Sequence, residues 1–215
     1  MEPIFLAIAL LILIFSVILH EVMHGFIALK FGDTTAQRAG RLTLNPLPHI
    51  DPIGTILLPL LILIPSILTG TPPGILLAWA KPVPVNPLNF TNLRKGELLV
   101  SAAGILANFG LATAFAAVFH ILDALPIVFP SLVGSLLLFG VRINLFLAVF
   151  NLFPIPPLDG SKILLSQLPY HLAKEYQKLE RYGFIILMFL IFIFPAPLFL
   201  ILNFFVKIFS NLLGF

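Results

Sequence analysis

Long apolar runs, separated by short polar stretches, organise this chain. Ile4 to Leu19 carries no charged residue, and the run continues into a helix-compatible stretch that ends at Lys30. About 20 apolar residues cross the hydrocarbon core of a bilayer, so a spanning helix is predicted from about Pro3 to Lys30. A cleaved signal peptide is disfavoured: there is no basic start and no small-residue cleavage site, and the run is too long. A second run, Ile53 to Leu68, is broken by Pro59 and Pro65. Thr69-Gly70-Thr71-Pro72-Pro73-Gly74 stops any helix, and a shorter stretch, Ile75 to Ala80, follows. Leu98 to Leu122 is a third span. Ile127 to Phe150 is a fourth, ending in Asn151-Leu152-Phe153-Pro154-Ile155-Pro156-Pro157-Leu158-Asp159-Gly160. The last run, Phe184 to Phe215, is interrupted by Pro195 and Pro197 and is either one bent helix or a short hairpin. Between them, Ser161 to Tyr182 mixes basic residues with Leu164, Leu168, Leu172 and Leu179, the pattern of a surface-lying amphipathic helix.

Composition fixes the solvent. Of 215 residues, 60% are hydrophobic and 10% charged, against roughly 25% charged in a soluble domain. A cytosolic globule, a disordered chain, a coiled coil and a disulfide scaffold are excluded. Cysteine is absent, so no thiolate metal site exists. The basic residues are too few and scattered for nucleic acid and are read as topology signals. Lys30, Arg38 and Arg41 lie in one loop, Lys81, Arg94 and Lys95 in another, and Lys162, Lys174, Lys178 and Arg181 in a third, while Asp123 to Pro130 has no Lys or Arg. The positive-inside rule puts the three basic loops in the cytoplasm and Met1 outside. Ile53 to Ala80 then starts and ends on the cytoplasmic side. Its second leg is too short to span, so a re-entrant hairpin with its apex at Thr69 to Gly74 is favoured over two short crossings. The expected fold is an all-α polytopic membrane protein of roughly four to six membrane segments, with a re-entrant hairpin and a small extended or β segment. It is read as one membrane-embedded domain, 1–215. Its core is 1–160, its cytoplasmic amphipathic segment about 161–182, and its C-terminal membrane segment about 183–215.

Against this apolar background, His20-Glu21-Val22-Met23-His24 stands out. Spacing of i and i+4 puts both imidazoles on one helix face. Two neutral imidazoles so placed can bind Zn²⁺, and Glu21 beside them can take a proton from water at the metal. Ionisable side chains at membrane depth are costly and functional by default. A third ligand is needed. His120 lies near the outer end of its span, and His49 and His171 lie in loops. Asp159 is the better candidate. Pro154, Pro156 and Pro157 unwind the backbone before it, and Gly160 permits a sharp turn after it. The charge argument sends both the first and fourth helices from outside to inside, so both motifs lie toward cytoplasmic ends, at matching depth. Plain alternatives stand beside these: a charged helix end for His20 to His24, and a turn aspartate for Asp159.

Taken together, these motifs resemble the site-2 protease family of intramembrane zinc metalloproteases, in its small form without PDZ or CBS domain. The likeness rests on His20-Glu21-x-x-His24 and Asn151-x-x-Pro154-x-x-Pro157-Leu158-Asp159-Gly160. Ala80-Lys81-Pro82-Val83-Pro84-Val85-Asn86-Pro87 and Gly104-x-x-x-Asn108 extend it, and it covers the chain from the first helix to about Gly160. Two positions depart from the family's habit: Ile105 where a Pro is common, and Ser161 where a second Gly is common. The resemblance implies cleavage of transmembrane segments of other proteins in the cell membrane. One Zn²⁺ per chain would be held by His20, His24 and Asp159, with Glu21 as general base and the site open toward the cytoplasm. It implies that Asn151 holds substrate or stabilises the tetrahedral intermediate. An amide can donate to an oxyanion, and it can equally cap backbone groups freed by the prolines. The Lys81 to Pro87 stretch can only be an edge or extended segment; by resemblance it belongs to a small sheet that receives substrate as an added strand. The implied partners are transmembrane substrates and the bilayer, not nucleic acid.

Other residues are read more plainly. Arg142 and Asn144, inside the fourth span, are structural anchors. His49 and Asp51 form a loop cap more readily than a second site. Gly104 and Asn108 permit close helix packing and are placed outside catalysis. The rival functions are a membrane metal-binding or transport protein, which has no need of Glu21, and an inactive homologue. A serine protease built on Ser101, Ser131 or Ser135 lacks a convincing histidine partner.

Overall fold

The computed structural model describes residues 3–57, 60–61, 64–65, 68, 79–126 and 129–215. Helix α1 (Pro3–Lys30) takes up the whole first apolar run and carries on through His20, Glu21 and His24. The chain turns at Gly32, whose φ of 98° falls in the left-handed region that glycine enters freely. A short helix, α2 (Thr35–Arg38), follows. Beyond it come a 3₁₀ turn at Leu47–His49 and a π-helical turn at Pro52–Leu57. Asp51 caps the latter: its Oδ1 accepts from the amides of Ile53 at 3.0 Å and Gly54 at 2.7 Å. The expected hairpin apex at Thr69 to Gly74, with parts of both its legs, lies outside the described residues.

Residues 79–86 form neither helix nor strand, and a 3₁₀ turn at Pro87–Asn89 follows. No strand occurs among the described residues, so the small sheet expected around Lys81 to Pro87 is instead an open run of backbone without a ladder partner. The prolines at 82, 84 and 87 have no N–H to give to a ladder.

Helix α3 (Leu93–Ala124) starts five residues before the apolar run because Asn92 caps it, accepting from the Lys95 amide at 3.0 Å. Helix α4 (Ser131–Leu152) begins after Pro130 and stops where the proline run removes its hydrogen bonds. Three shorter helices follow: α5 (Asp159–Gln167), α6 (Tyr170–Glu180) and the apolar α7 (Gly183–Ile193). The final run divides at Phe194, and α8 (Pro195–Leu212) opens on a proline that needs no hydrogen-bond partner in a first turn. By length and composition α1, α3, α4 and α8 can cross a membrane, whereas α7 has 11 residues. The protein is therefore an all-helical polytopic membrane protein.

Polar contacts give the helix directions. Ser16 of α1 meets Asn144 of α4, His20 meets Asn108 of α3, and His24 meets the Val100 carbonyl one turn further on. So α1 and α4 run parallel, with α3 antiparallel to both. Small residues bring α3 and α4 close: Ala112 and Ala116 are buried, and a Cβ at Gly140 would lie 2.7 Å from the Phe115 ring. Helix α8 runs antiparallel to α4. Leu198 and Leu202 pack with Val149, while Val206 and Phe209 pack against the cluster of Val141 and Leu145.

Candidate metal centre

One helical turn separates His20 and His24, and their rings sit 4.7 Å apart at 81°. Both Nε2 atoms point at the same carboxylate oxygen: Asp159 Oδ2 is 3.0 Å from His20 and 3.2 Å from His24. Asp159 is the first residue of α5, so an unwound stretch delivers it to the wall of α1. Gly160 makes that approach feasible, since a Cβ there would stand 2.1 Å from the Leu152 carbonyl oxygen. The Ser161 hydroxyl donates to the Leu158 carbonyl at 2.6 Å and tightens the same turn.

The hydrogen positions follow from a chain of contacts that ends on backbone. Asn144 Nδ2 lies 2.9 Å from the Gly140 carbonyl, which can only accept, so the other amide atom, Oδ1, faces Asn108. Asn108 answers with its Nδ2 at 2.9 Å and thus turns Oδ1 toward His20 Nδ1, at 2.6 Å. His20 therefore carries its hydrogen on Nδ1. His24 does the same, donating from Nδ1 to the Val100 carbonyl at 2.7 Å. In the neutral imidazoles both Nε2 atoms are then left with lone pairs directed at an anionic oxygen. Three acceptors held this close repel unless a cation sits among them. Gly104 gives the two rings the room to converge: a Cβ there would fall 2.5 Å from His20 Nε2 and 2.6 Å from His24 Nε2. Two imidazole nitrogens and a carboxylate, with no sulfur, are a donor set that fits zinc and leaves a fourth position free.

Glu21 belongs to the same group, its carboxylate within 4.8 Å of the histidine ligand atoms. Its Oε2 accepts from the Val83 amide at 2.8 Å. A cavity of about 510 Å³ opens beside these groups, walled by Pro82, Val83 and Val85 of the open run and by Val100, Ser101 and Asn151. The Asn151 amide lines this cavity and donates back along its own helix to the Leu147 carbonyl at 3.0 Å.

Polar anchors from the other side hold the open run in place. Arg41 donates to the Lys81 carbonyl at 2.6 Å and to the Pro82 carbonyl at 3.2 Å. Asp33 accepts from the Asn86 amide at 2.7 Å, from the Asn89 side chain at 2.8 Å, and from the hydroxyl and amide of Thr35. Burial pushes the Asp33 carboxyl up, but the donors from Thr35, Asn86 and Asn89 outweigh it and hold it below the ordinary range.

The remaining candidates lie elsewhere. His49 is buried, donates from Nε2 to the Thr43 carbonyl at 2.9 Å, and accepts the Lys81 amide on its own carbonyl. His120 binds the Leu213 carbonyl at 2.7 Å and stacks on Phe215, and His171 is exposed on α6. Ser101 has no hydrogen bond to a histidine. Gly104 and Asn108, read as packing residues, do pack closely, and what they pack against is His20 and His24: a Cβ at Gly104 would crowd both rings, and Asn108 meets His20 Nδ1. The signal was available, because Ser16, Asn108 and Asn144 are polar residues within three apolar helices, and such residues find one another.

Residues 126–194 match the family described as Peptidase family M50. The chain is similar to proteins named "Putative zinc metalloprotease" in several organisms. With YwhC of Bacillus subtilis (strain 168) it shares 36% identity over 190 residues, 86% of this chain and 79% of that one. With Rip2 of Mycolicibacterium smegmatis it shares 31% over 185 residues, 84% of this chain and 64% of that one. With MJ0611 of Methanocaldococcus jannaschii it shares 45% over 69 residues, 30% of this chain and 31% of that one. No solved structure matches it.

Proposed function

This chain belongs to peptidase family M50, and on that premise we propose that it is an intramembrane zinc metalloprotease that hydrolyses peptide bonds within or beside the transmembrane segments of other proteins. The observation that carries the proposal is the convergence of two imidazole Nε2 atoms on one carboxylate oxygen, with a second carboxylate beside them in a cavity. A metal carrier has no use for that second carboxylate, and an inactive homologue would not need to keep it.

His20 and His24 would hold one zinc ion through Nε2 and Asp159 through its carboxylate. Bound there, zinc supplies Lewis-acid polarisation of the scissile carbonyl and an acidified water. Glu21 takes the proton of the attacking water and passes it to the leaving amine. The Asn151 amide, once released from Leu147, donates to the developing oxyanion, a contribution of about 3 kcal/mol. Val83 and Val85 face the cavity from the open run, which would receive the unwound substrate as extended backbone. Residues 1–215 act as a single membrane-embedded unit. The basic loops orient it in the cell membrane with the metal toward the cytoplasm, and its partners are transmembrane substrates.

Zinc analysis combined with cleavage of a panel of single-span proteins tests this. Glu21→Gln is expected to keep zinc and lose cleavage; Asp159→Ala is expected to lose zinc. Undiminished proteolysis in Glu21→Gln would sink the mechanism.

A further inference from the structure

A second cavity, of about 690 Å³, lies between α4 and α8, away from the metal centre. Five polar side chains line it: Arg142 from α4, and Asn203, Lys207, Ser210 and Asn211 from α8. No acidic residue lines it, and among the described residues neither Arg142 nor Lys207 has a hydrogen bond or an ion pair. Both cations are exposed, on helices long enough to span a bilayer. Two uncompensated cations on a lipid-facing surface are costly, and a bound anion relieves that cost.

The position of these groups along the helices narrows the anion. Helices α4 and α8 are antiparallel, so α8 ends at the membrane face where α4 begins. Lys207 lies five residues before Leu212, about 8 Å from that end at ~1.5 Å per residue. A long basic side chain at that depth turns its head to the interface. Ser210 and Asn211 lie nearer still to that end. Phe146 lies one turn deeper on α4 than Arg142, and Ile143 and Val206 continue the apolar wall. Lys207, Ser210 and Asn211 lie toward one face, Arg142 stands near the middle of α4 with a side chain long enough to reach up to them, and Ile143, Phe146 and Val206 add apolar wall, an arrangement that matches an amphiphile. A carboxylate on a neighbouring helix presents two acceptor oxygens, too few for five donor-bearing side chains. A phosphodiester with its glycerol esters presents enough.

We infer that the cavity between α4 and α8 binds an anionic phospholipid, with its phosphate at Arg142 and Lys207 and an acyl chain laid along Phe146 and Val206. Asn144, two residues from Arg142 and so on the opposite side of α4, points instead into the buried amide chain. The lipid site and the metal centre therefore occupy different sides of the same helix.

The test uses the full chain in nanodiscs of phosphatidylcholine, with and without phosphatidylglycerol. Bound lipid is counted by native mass spectrometry, and melting is followed in parallel. Wild type is expected to retain phosphatidylglycerol over phosphatidylcholine. Arg142→Gln with Lys207→Gln should weaken that retention roughly twenty-five-fold, about fivefold for each cation, with zinc content unchanged. Arg142→Lys with Lys207→Arg, which keeps both charges, should retain the lipid. Equal retention of the two lipids by wild type overturns the proposal, and this comparison decides alone if the double glutamine variant does not fold. Undiminished phosphatidylglycerol binding by a folded double glutamine variant overturns it too. So does stoichiometric co-purification of a membrane protein whose carboxylate displaces the lipid.

Discussion

Replacing Asn108 with leucine nearly keeps the side-chain volume but removes the amide. In the native chain that amide accepts from His20 Nδ1 at 2.6 Å and donates to Asn144 at 2.9 Å, and the residue is fully buried. Leucine leaves the His20 Nδ1 hydrogen without a partner in a site that excludes water, at about 1–3 kcal/mol. The imidazole then gains by moving its hydrogen to Nε2, the atom that must be bare to bind metal. Loss of such a supporting contact typically weakens metal binding by about 10–100-fold, or roughly 1.4–2.7 kcal/mol. The assay is a zinc competition titration with a chelator on the detergent-purified protein, alongside a melting curve to show that it remains folded. A folded Asn108→Leu variant with zinc affinity within about twofold of wild type, a difference near 0.4 kcal/mol, would refute the hydrogen-placement argument.

Two further outcomes are expected. Gly104→Ala puts a methyl group 2.5 Å from His20 Nε2 and 2.6 Å from His24 Nε2 and so forces both rings apart; zinc content measured by elemental analysis should fall to background while α-helical circular dichroism persists. The Asp33 carboxyl is held below its ordinary value, so its contribution to stability is complete above the unfolded pKa of about 3.9 and is lost as pH falls through the folded pKa. Acid melts should therefore show an extra loss of stability below about pH 4 that Asp33→Asn removes; identical acid profiles for the two proteins would contradict this.

Much of the site was legible because its signals are local. His20-Glu21-x-x-His24 needs only helical periodicity, and Asp159 announces itself through the prolines before it and the glycine after it. In a chain with so few charges, each one at membrane depth carries information. What the sequence could not convey were the links between distant segments. His20, Asn108 and Asn144 are joined across three helices, and no spacing rule connects residues 88 and 36 positions apart. The open run at 79–86 was legible as non-helical from its prolines, but not its anchoring by Asp33 and Arg41, nor its lack of a strand partner. The break of the final run at Pro195 was visible in the sequence; that only the part after it is long enough to span was not. Arg142 and Asn144 looked alike as intramembrane polar residues, yet their two-residue separation on a 3.6-residue helix sends them to opposite environments.

On the proposed mechanism, the hydrogen bond from the Val83 amide to Glu21 would fix a ruler as well as a base. Any peptide laid along Val83 and Val85 would be measured from the residue that holds the proposed proton acceptor. Moving such a peptide by one residue shifts it about 3.3 Å and turns alternate side chains over. The bond presented for cutting would then be chosen by backbone distance from Val83, with side chains acting only through the register they permit. Cleavage would be expected to fall at one offset in substrates of quite different sequence.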